Sequence, residues 1–207
     1  MDAAELLVSE KGFDLVSVRD VTGAVKANVA AVNYHFGSRE GLMDLLMMRL
    51  LEPLCEKRLK ALEQMERKHA GKMAPVEEIV TAYTKSLSAT AAGLGMEEAY
   101  YLKITGRILI LPDETLAPPL ANLRENVRQR FLAAITRALP ETTPAELSAS
   151  WRIFDSGLSQ SLISLTPTED LASLFDHWIQ FGTKGLGGGK PAKEPKKDDS
   201  QGMLFDF

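Results

Sequence analysis

The 207-residue chain is 45% hydrophobic and 25% charged, a globular balance that excludes a chain disordered throughout, a collagen-like polymer and a disulfide-stapled mini-protein. The 24 basic and 28 acidic residues give a formal net charge of −4, so charge alone does not point to nucleic acid. Cys55 is the single cysteine, which rules out an intramolecular disulfide and makes a cytoplasmic setting the expectation.

No uninterrupted apolar run reaches the roughly 18 residues of a membrane-spanning helix. Met1-Asp2-Ala3-Ala4-Glu5 lacks the basic start of a secretory leader, so neither feature is expected. Apolar residues recur at spacings of three and four along nearly the whole chain, and strand-like alternation is scarce. The chain therefore reads as all-α. A first helix over 2–11 turns Ala4, Leu7 and Val8 inward and stops at Gly12, in the position of a C-cap. Ser17-Val18-Arg19-Asp20 approximates a capping box, opening a helix that runs to Val25. After Lys26-Ala27, Asn28 caps a second short helix that ends at Phe36. Gly37-Ser38 breaks it, and Ser38 caps a long helix to Lys68 that Pro53 should kink.

Pro75 fits the first position of the next helix, which covers 76–92 and ends at Gly93 and Gly95. Further helices are expected over 97–111, 119–138 and 145–165, with the last at 170–184 capped by Thr168. The Gly- and charge-rich stretch from 185 reads as a disordered tail that ends in Met203, Leu204, Phe205 and Phe207.

Residues 17–36 form helix, tight turn, helix, with a third helix in front. In that arrangement the second helix can enter a major groove while the first crosses the backbone. Val32 and Phe36 share one face and are expected to anchor on Val18, Val21 and Val25. Ala30, Ala31, Asn33, Tyr34 and His35 are left for the DNA. The alanines permit close approach to thymine methyls, and Asn33 suits adenine or a phosphate. Tyr34, His35 and Arg39 suit phosphates, as does the helix N-terminus at Ser38. With the caps Ser17 and Asn28 and the cations Arg19 and Lys26, they make up the expected DNA-facing set.

The block from Ala30 to Leu42, with Ala3-Ala4-Glu5-Leu6-Leu7 and Gly12-Phe13 upstream at the same spacings, resembles the TetR family of bacterial regulators. The dense match covers about the first 46 residues. The Ala30–Ser38 variant resembles a branch that includes fatty-acid-responsive repressors. The resemblance implies an N-terminal three-helix DNA-binding domain with a helix-turn-helix over 1–46. It further implies a helical ligand-binding and dimerisation domain over 47–184, followed by the tail over 185–207. It also implies backbone contacts for Tyr34 and Arg39.

Two departures stand out. Lys26 occupies a turn position where the family usually has glycine or another small residue. The family also continues upstream of Ala3-Ala4, which predicts either a shortened first helix or a start codon further upstream. Residues 1–52 carry five basic and eight acidic side chains, so the head is itself acidic. All three cations between 17 and 40, however, lie where the duplex would dock.

Leu147, Trp151, Phe154, Leu158 and Leu162 make one apolar stripe, and Leu171, Leu174, Phe175, Trp178 and Phe181 make another. They either form a two-fold four-helix bundle with a second subunit, as the resembled family does, or close the core of one subunit. Tyr100, Lys103 and Arg107 form a row that either lines a cavity for an anionic ligand or is a solvated charged face. A small, largely apolar effector acting between these helices would tilt the 38–68 helix and re-space the two heads.

No catalytic residue, metal site or cofactor is expected: the three histidines are dispersed, and no Gly-x-Ser-x-Gly elbow occurs. A phosphate-loop reading of Gly189-Lys190 fails at Lys184 and at Pro191. Gln201-Gly202-Met203-Leu204-Phe205 is similar to peptides that dock on the bacterial sliding clamp, or else folds back on its own domain. The expected whole is a homodimeric regulator, in the first instance a repressor on a palindromic operator. The alternative is a protein-interaction module on the same fold with DNA binding lost.

Overall fold

The computed structural model describes residues 2–13, 15–26, 28–70, 72–166 and 168–187. Among them the chain forms nine α-helices and one 3₁₀ turn, with no strand. The first four are α1 (Asp2–Lys11), α2 (Val18–Val25), α3 (Val29–Phe36) and α4 (Arg39–Lys68). The remainder are α5 (Val76–Leu94), α6 (Glu98–Leu109), α7 (Pro118–Ala138), α8 (Pro144–Ile163) and α9 (Leu171–Gly185). The all-α class read from the sequence is the class observed.

Most boundaries are set by side chains that satisfy orphan N–H groups of a first turn. Ser17, Ser38 and Thr143 each accept from the residue three positions on, and Thr143 completes a capping box with Glu146. Glu97 accepts from Ala99 N and Tyr100 N. Three details differ from the sequence reading. Pro75 stands just outside α5 as its N-cap rather than at the first helical position. Gly93 lies within α5, and Gly95 ends it at φ +65°. Thr168 does not cap α9: the Asp170 carboxylate accepts from Ala172 N and Ser173 N, leaving Thr168 in the preceding loop.

One contiguous hydrophobic core runs from Ala4 and Val8 in α1 to Leu186 beyond α9. The long helix α4 packs on α5, α6 and α7, so it joins the N-terminal helices to the rest. The helix α5 packs on α9, while α6 packs on α8. Close approach of α6 and α8 depends on Gly106, where an added Cβ would stand 2.8 Å from Ser159 O and 2.9 Å from Leu162 Cβ. Gly182 plays the same part in α9 beneath the Phe154 ring. An aromatic chain of Tyr83, Phe131, Trp151, Phe154 and Trp178 links α5, α7, α8 and α9. No described helix is long and apolar enough to cross a membrane.

The tail beyond 187, with the Gln201–Phe205 peptide, lies outside the described residues.

Candidate functional site

The helix-turn-helix is built by local chemistry. Ser17 Oγ accepts from Asp20 N at 3.2 Å, and the Asp20 carboxylate accepts from Ser17 N at 2.9 Å. The Ser17 hydroxyl bond, more than any other contact, holds the Asp20 carboxyl below its usual range. The helix α2 ends at Lys26, whose φ of 52° and ψ of 35° place it in the left-handed region. The turn thus forms with a lysine where glycine is favoured sterically. Asn28 Oδ1 then accepts from Ala30 N at 2.9 Å and opens α3.

On α3 the side chains of Ala30, Tyr34 and His35 are exposed, Tyr34 to 85%. The Tyr34 and His35 rings meet edge-on with centroids 5.2 Å apart. Arg19 on α2 and Lys26 in the turn are exposed as well. Ala31, Val32 and Asn33 belong to α3, but their side chains lie outside the described set. Phe36 and the half-buried Val18 both pack against the core, to which the buried Val21 belongs. Val25, expected to share that anchor, is instead 55% exposed, since it falls on the last turn of α2.

Arg39, expected at a phosphate, uses much of its guanidinium inside the protein. Nε donates to Val16 O at 2.8 Å, and Nη2 donates to Phe13 O. Arg39 thereby clips the α1–α2 connection to the start of α4. Gly41 explains itself sterically, because an added Cβ would collide with Phe36 O.

Tyr100, Lys103 and Arg107 do not line the main cavity between α4, α5, α7 and α8. Tyr100 lies against α1, where burial and then the charge of Glu5 push its phenol up to about 12. Arg107 Nη1 would stand 3.3 Å from a Cβ at Gly12, and its Nε is buried without a partner. The half-buried α6 row therefore faces the N-terminal helices, because α6 packs on α1 as well as on α8.

A cavity of about 560 Å³ opens elsewhere, between α4, α5, α7 and α8. Leu51, Cys55, Arg58, Tyr83, Val127 and Trp151 form its buried floor. Arg58 is only 2% exposed, with its Cζ 3.5 Å from the centroid of the Tyr83 ring. Its Nε donates to Tyr83 O at 3.3 Å, and its Nη2 has no hydrogen-bond partner. The Tyr83 hydroxyl donates to Asp155 Oδ1 at 2.6 Å. Burial pushes the Tyr83 phenol well above its usual range, against the opposing pull of Arg58, and burial likewise raises the Cys55 thiol.

Sequence reasoning missed Arg58, although a signal was present. Leu51, Cys55, Arg58, Leu62 and Met65 follow one another at intervals of 4, 3, 4 and 3, so Arg58 interrupts the inward stripe of α4.

The two apolar stripes divide. Leu147, Trp151, Phe154, Leu158 and Phe175 are buried within the subunit and have no surface left for a partner. Leu171, Leu174 and Trp178 are half-buried, whereas Ile153 is 66% and Phe181 53% exposed.

Residues 1–46 match the family described as bacterial regulatory proteins, tetR family, and residues 81–181 match the tetracyclin repressor-like C-terminal domain. The chain belongs to the TetR family. Its fold is that of a TetR transcriptional regulator, a class of DNA-binding regulatory proteins and not of enzymes. Among solved structures it is similar to the TetR family transcriptional regulator PfmR from Thermus thermophilus, with a TM-score of 0.62 and 19% identity. That match covers 89% of this chain and 97% of the other. It is also similar to the probable transcriptional regulatory protein RHA5900, with a TM-score of 0.62, 13% identity, and coverage of 89% and 95%. At such identities the likeness is one of fold. No curated protein matches the chain.

The TetR match to the head spans α1 to α3 and the start of α4, and the C-terminal match spans most of α5 to most of α9. Residues 47–80, with Pro53 and Arg58, fall in neither.

Proposed function

We propose that the protein is a transcriptional repressor that binds a palindromic operator as a homodimer and is released by a small, largely apolar effector. The observation that carries this reading is the exposed face of α3, with Ala30, Tyr34 and His35 open beside Arg19 and Lys26, on a helix-turn-helix of the TetR family. Such a helix reads few base pairs, so a second head related by two-fold symmetry supplies affinity and a defined half-site spacing. Ser17, Asn28, Ala31, Asn33 and Arg39 complete the proposed DNA-facing set. Arg39 acts there mainly by holding Phe13 and Val16 in place.

The proposed division is a head over 1–46 and an effector and dimer domain over 47–184. Dimerisation is assigned to α8 and α9 through Ile153, Leu171, Leu174, Trp178 and Phe181. Single charges at the two exposed members, Ile153→Glu and Phe181→Glu, should convert the dimer to monomer in sedimentation. The resemblance of the Ala30–Ser38 block to fatty-acid-responsive repressors supports an apolar effector. A regulator that binds chromosomal DNA acts in the cytoplasm. Docking of Gln201–Phe205 on the sliding clamp is a separate proposal, tested by clamp pull-down with and without residues 200–207.

The deciding experiment is fluorescence anisotropy on the intergenic DNA beside the protein's own gene, across a salt series. Tight binding that survives excess random DNA, with a logarithm linear in log salt, is expected. The acidic balance of residues 1–52 favours one rival, an interaction module on the TetR fold. Binding that is weak and indifferent to sequence would select it.

A further inference from the structure

We infer that the cavity between α4, α5, α7 and α8 binds a small hydrophobic monocarboxylate, whose carboxylate pairs with the guanidinium of Arg58. Arg58 is the only charged side chain on the buried part of the floor. An arginine so far from water is costly unless a counter-charge meets it. Among the described residues no carboxylate lies within 4.0 Å of it. Asp155, the acidic group on that side, is occupied by the Tyr83 hydroxyl at 2.6 Å. The Tyr83 ring and the Tyr83 carbonyl hold the guanidinium by its face and by Nε. Its Nη2 is left without a partner in the subunit. A bound carboxylate supplies both the missing acceptor and the missing charge, in the planar geometry that a guanidinium fits best.

The rest of the lining defines the body of the ligand. Leu51, Cys55 and Val127 give an aliphatic wall, while Tyr83 and Trp151 give aromatic faces. The volume of about 560 Å³ falls within the ~300–1,000 Å³ that suits drug-sized ligands. The lining carries four arginines, 58, 124, 128 and 152, against the acids Asp113, Glu114, Glu125 and Asp155. At the rim Arg124 is taken by Asp113, and Arg128 by Glu125 at 2.6 Å. A site with no net charge and one unpaired buried cation favours a monoanion over a phosphate ester or a nucleotide.

That the ligand is the effector rests on the regulator reading; that it binds does not. The test is isothermal titration of the full-length protein with sodium octanoate and sodium benzoate, each against its neutral amide. Saturable binding of the carboxylates, at least tenfold tighter than the amides, is expected for one or both pairs. Arg58→Met keeps an unbranched apolar stem but removes the charge, and should erase that preference. Arg58→Lys, which cannot make a two-pronged contact, should weaken the carboxylate by ~10–100-fold. Ala149→Phe, at the half-buried mouth and with Arg58 intact, should block both carboxylate and amide; it keeps the inference testable if Arg58→Met fails to fold. Equal affinity for acid and amide, undiminished carboxylate binding by Arg58→Lys, or no binding of any probe at millimolar concentration would overturn it. Anisotropy on operator DNA in parallel separates the two readings: carboxylate binding without operator binding sinks the regulator alone, and the reverse sinks the ligand alone.

Discussion

Glu5 on α1 and Arg49 on α4 face each other at 3.2 Å across the seam between the N-terminal helices and the rest of the protein. Asp2 reaches the same Arg49 Nη1 at 3.2 Å. Tyr100 from α6 closes the site from the other side, close enough to feel the charge of Glu5. Glu5 is 4% exposed, and burial raises its pKa more than Arg49 lowers it. Protonation of Glu5 is thus favoured in the folded state relative to the unfolded chain.

The sign of the pH effect follows. A carboxyl with a raised folded-state pKa favours folding most when protonated, and that advantage is lost as pH rises from the ordinary glutamate pKa through the raised value. Glu5→Gln keeps the shape and cannot ionise. Thermal melts of both proteins between pH 4 and 7 should show the native protein losing stability relative to the variant as pH rises. A constant difference across that range would mean that Arg49 neutralises the burial cost.

Lys26 in its left-handed turn is a second test. Glycine there relieves roughly 1–2 kcal/mol of steric cost, and its freedom in the unfolded chain takes back about 0.4–1 kcal/mol. Lys26→Gly should therefore gain about 0.5–1 kcal/mol, a rise of ~1–4 °C in Tm. If Lys26 neutralises one phosphate in each of the two heads, the same variant lowers the salt slope of operator binding by about 1.8. A higher Tm with an unchanged slope would remove Lys26 from the DNA contacts while leaving the turn argument standing.

Tyr34 and Arg39 should separate cleanly. Tyr34 is 85% exposed, so Tyr34→Phe is expected to leave the Tm within about 1 °C while weakening the operator complex by ~5–10-fold through a lost phosphate hydrogen bond. Arg39→Ala frees the carbonyls of Val16 and Phe13, and about 2 kcal/mol of stability should go with them. Differential scanning calorimetry beside anisotropy distinguishes the two classes.

Gly106 predicts a packing failure far from either site. A methyl group there meets a backbone carbonyl at 2.8 Å, and α6 and α8 must move apart to admit it. Gly106→Ala should cost ~1–3 kcal/mol by urea melt. A cost near zero would mean that α6 and α8 slide freely.

The helices of this TetR-family chain were legible because their ends are written in short-range chemistry. Ser17, Asn28, Ser38 and Gly95 each act within four residues of their own position. Thr168 misled because Asp170, two residues later, offers a carboxylate to the same first turn. Amphipathic stripes showed that α8 and α9 have apolar faces but not which neighbour covers them, so Trp151 and Phe154, expected at an interface, are found in the core of the subunit. The row on α6 was open between two readings for the same reason. Whether Tyr100 and Arg107 meet a ligand, water or α1 is decided by a contact about a hundred residues away in sequence. Arg39 shows a further limit: its acceptors are backbone carbonyls, which leave no mark in side-chain pattern.

Pro53 within α4 has no N–H to offer, so the carbonyl of Arg49 loses its usual helical partner. At the next position, Leu50 O accepts the Tyr101 hydroxyl at 3.2 Å. The stem of α4 is thus loosened along its own axis at the level where α1, through Glu5, and α6, through Tyr101, take hold of it. Five residues beyond Pro53, Arg58 lies over Tyr83 at the cavity floor. A pull on that guanidinium has a short lever and a soft fulcrum, and its far arm carries the side chains that fix α1.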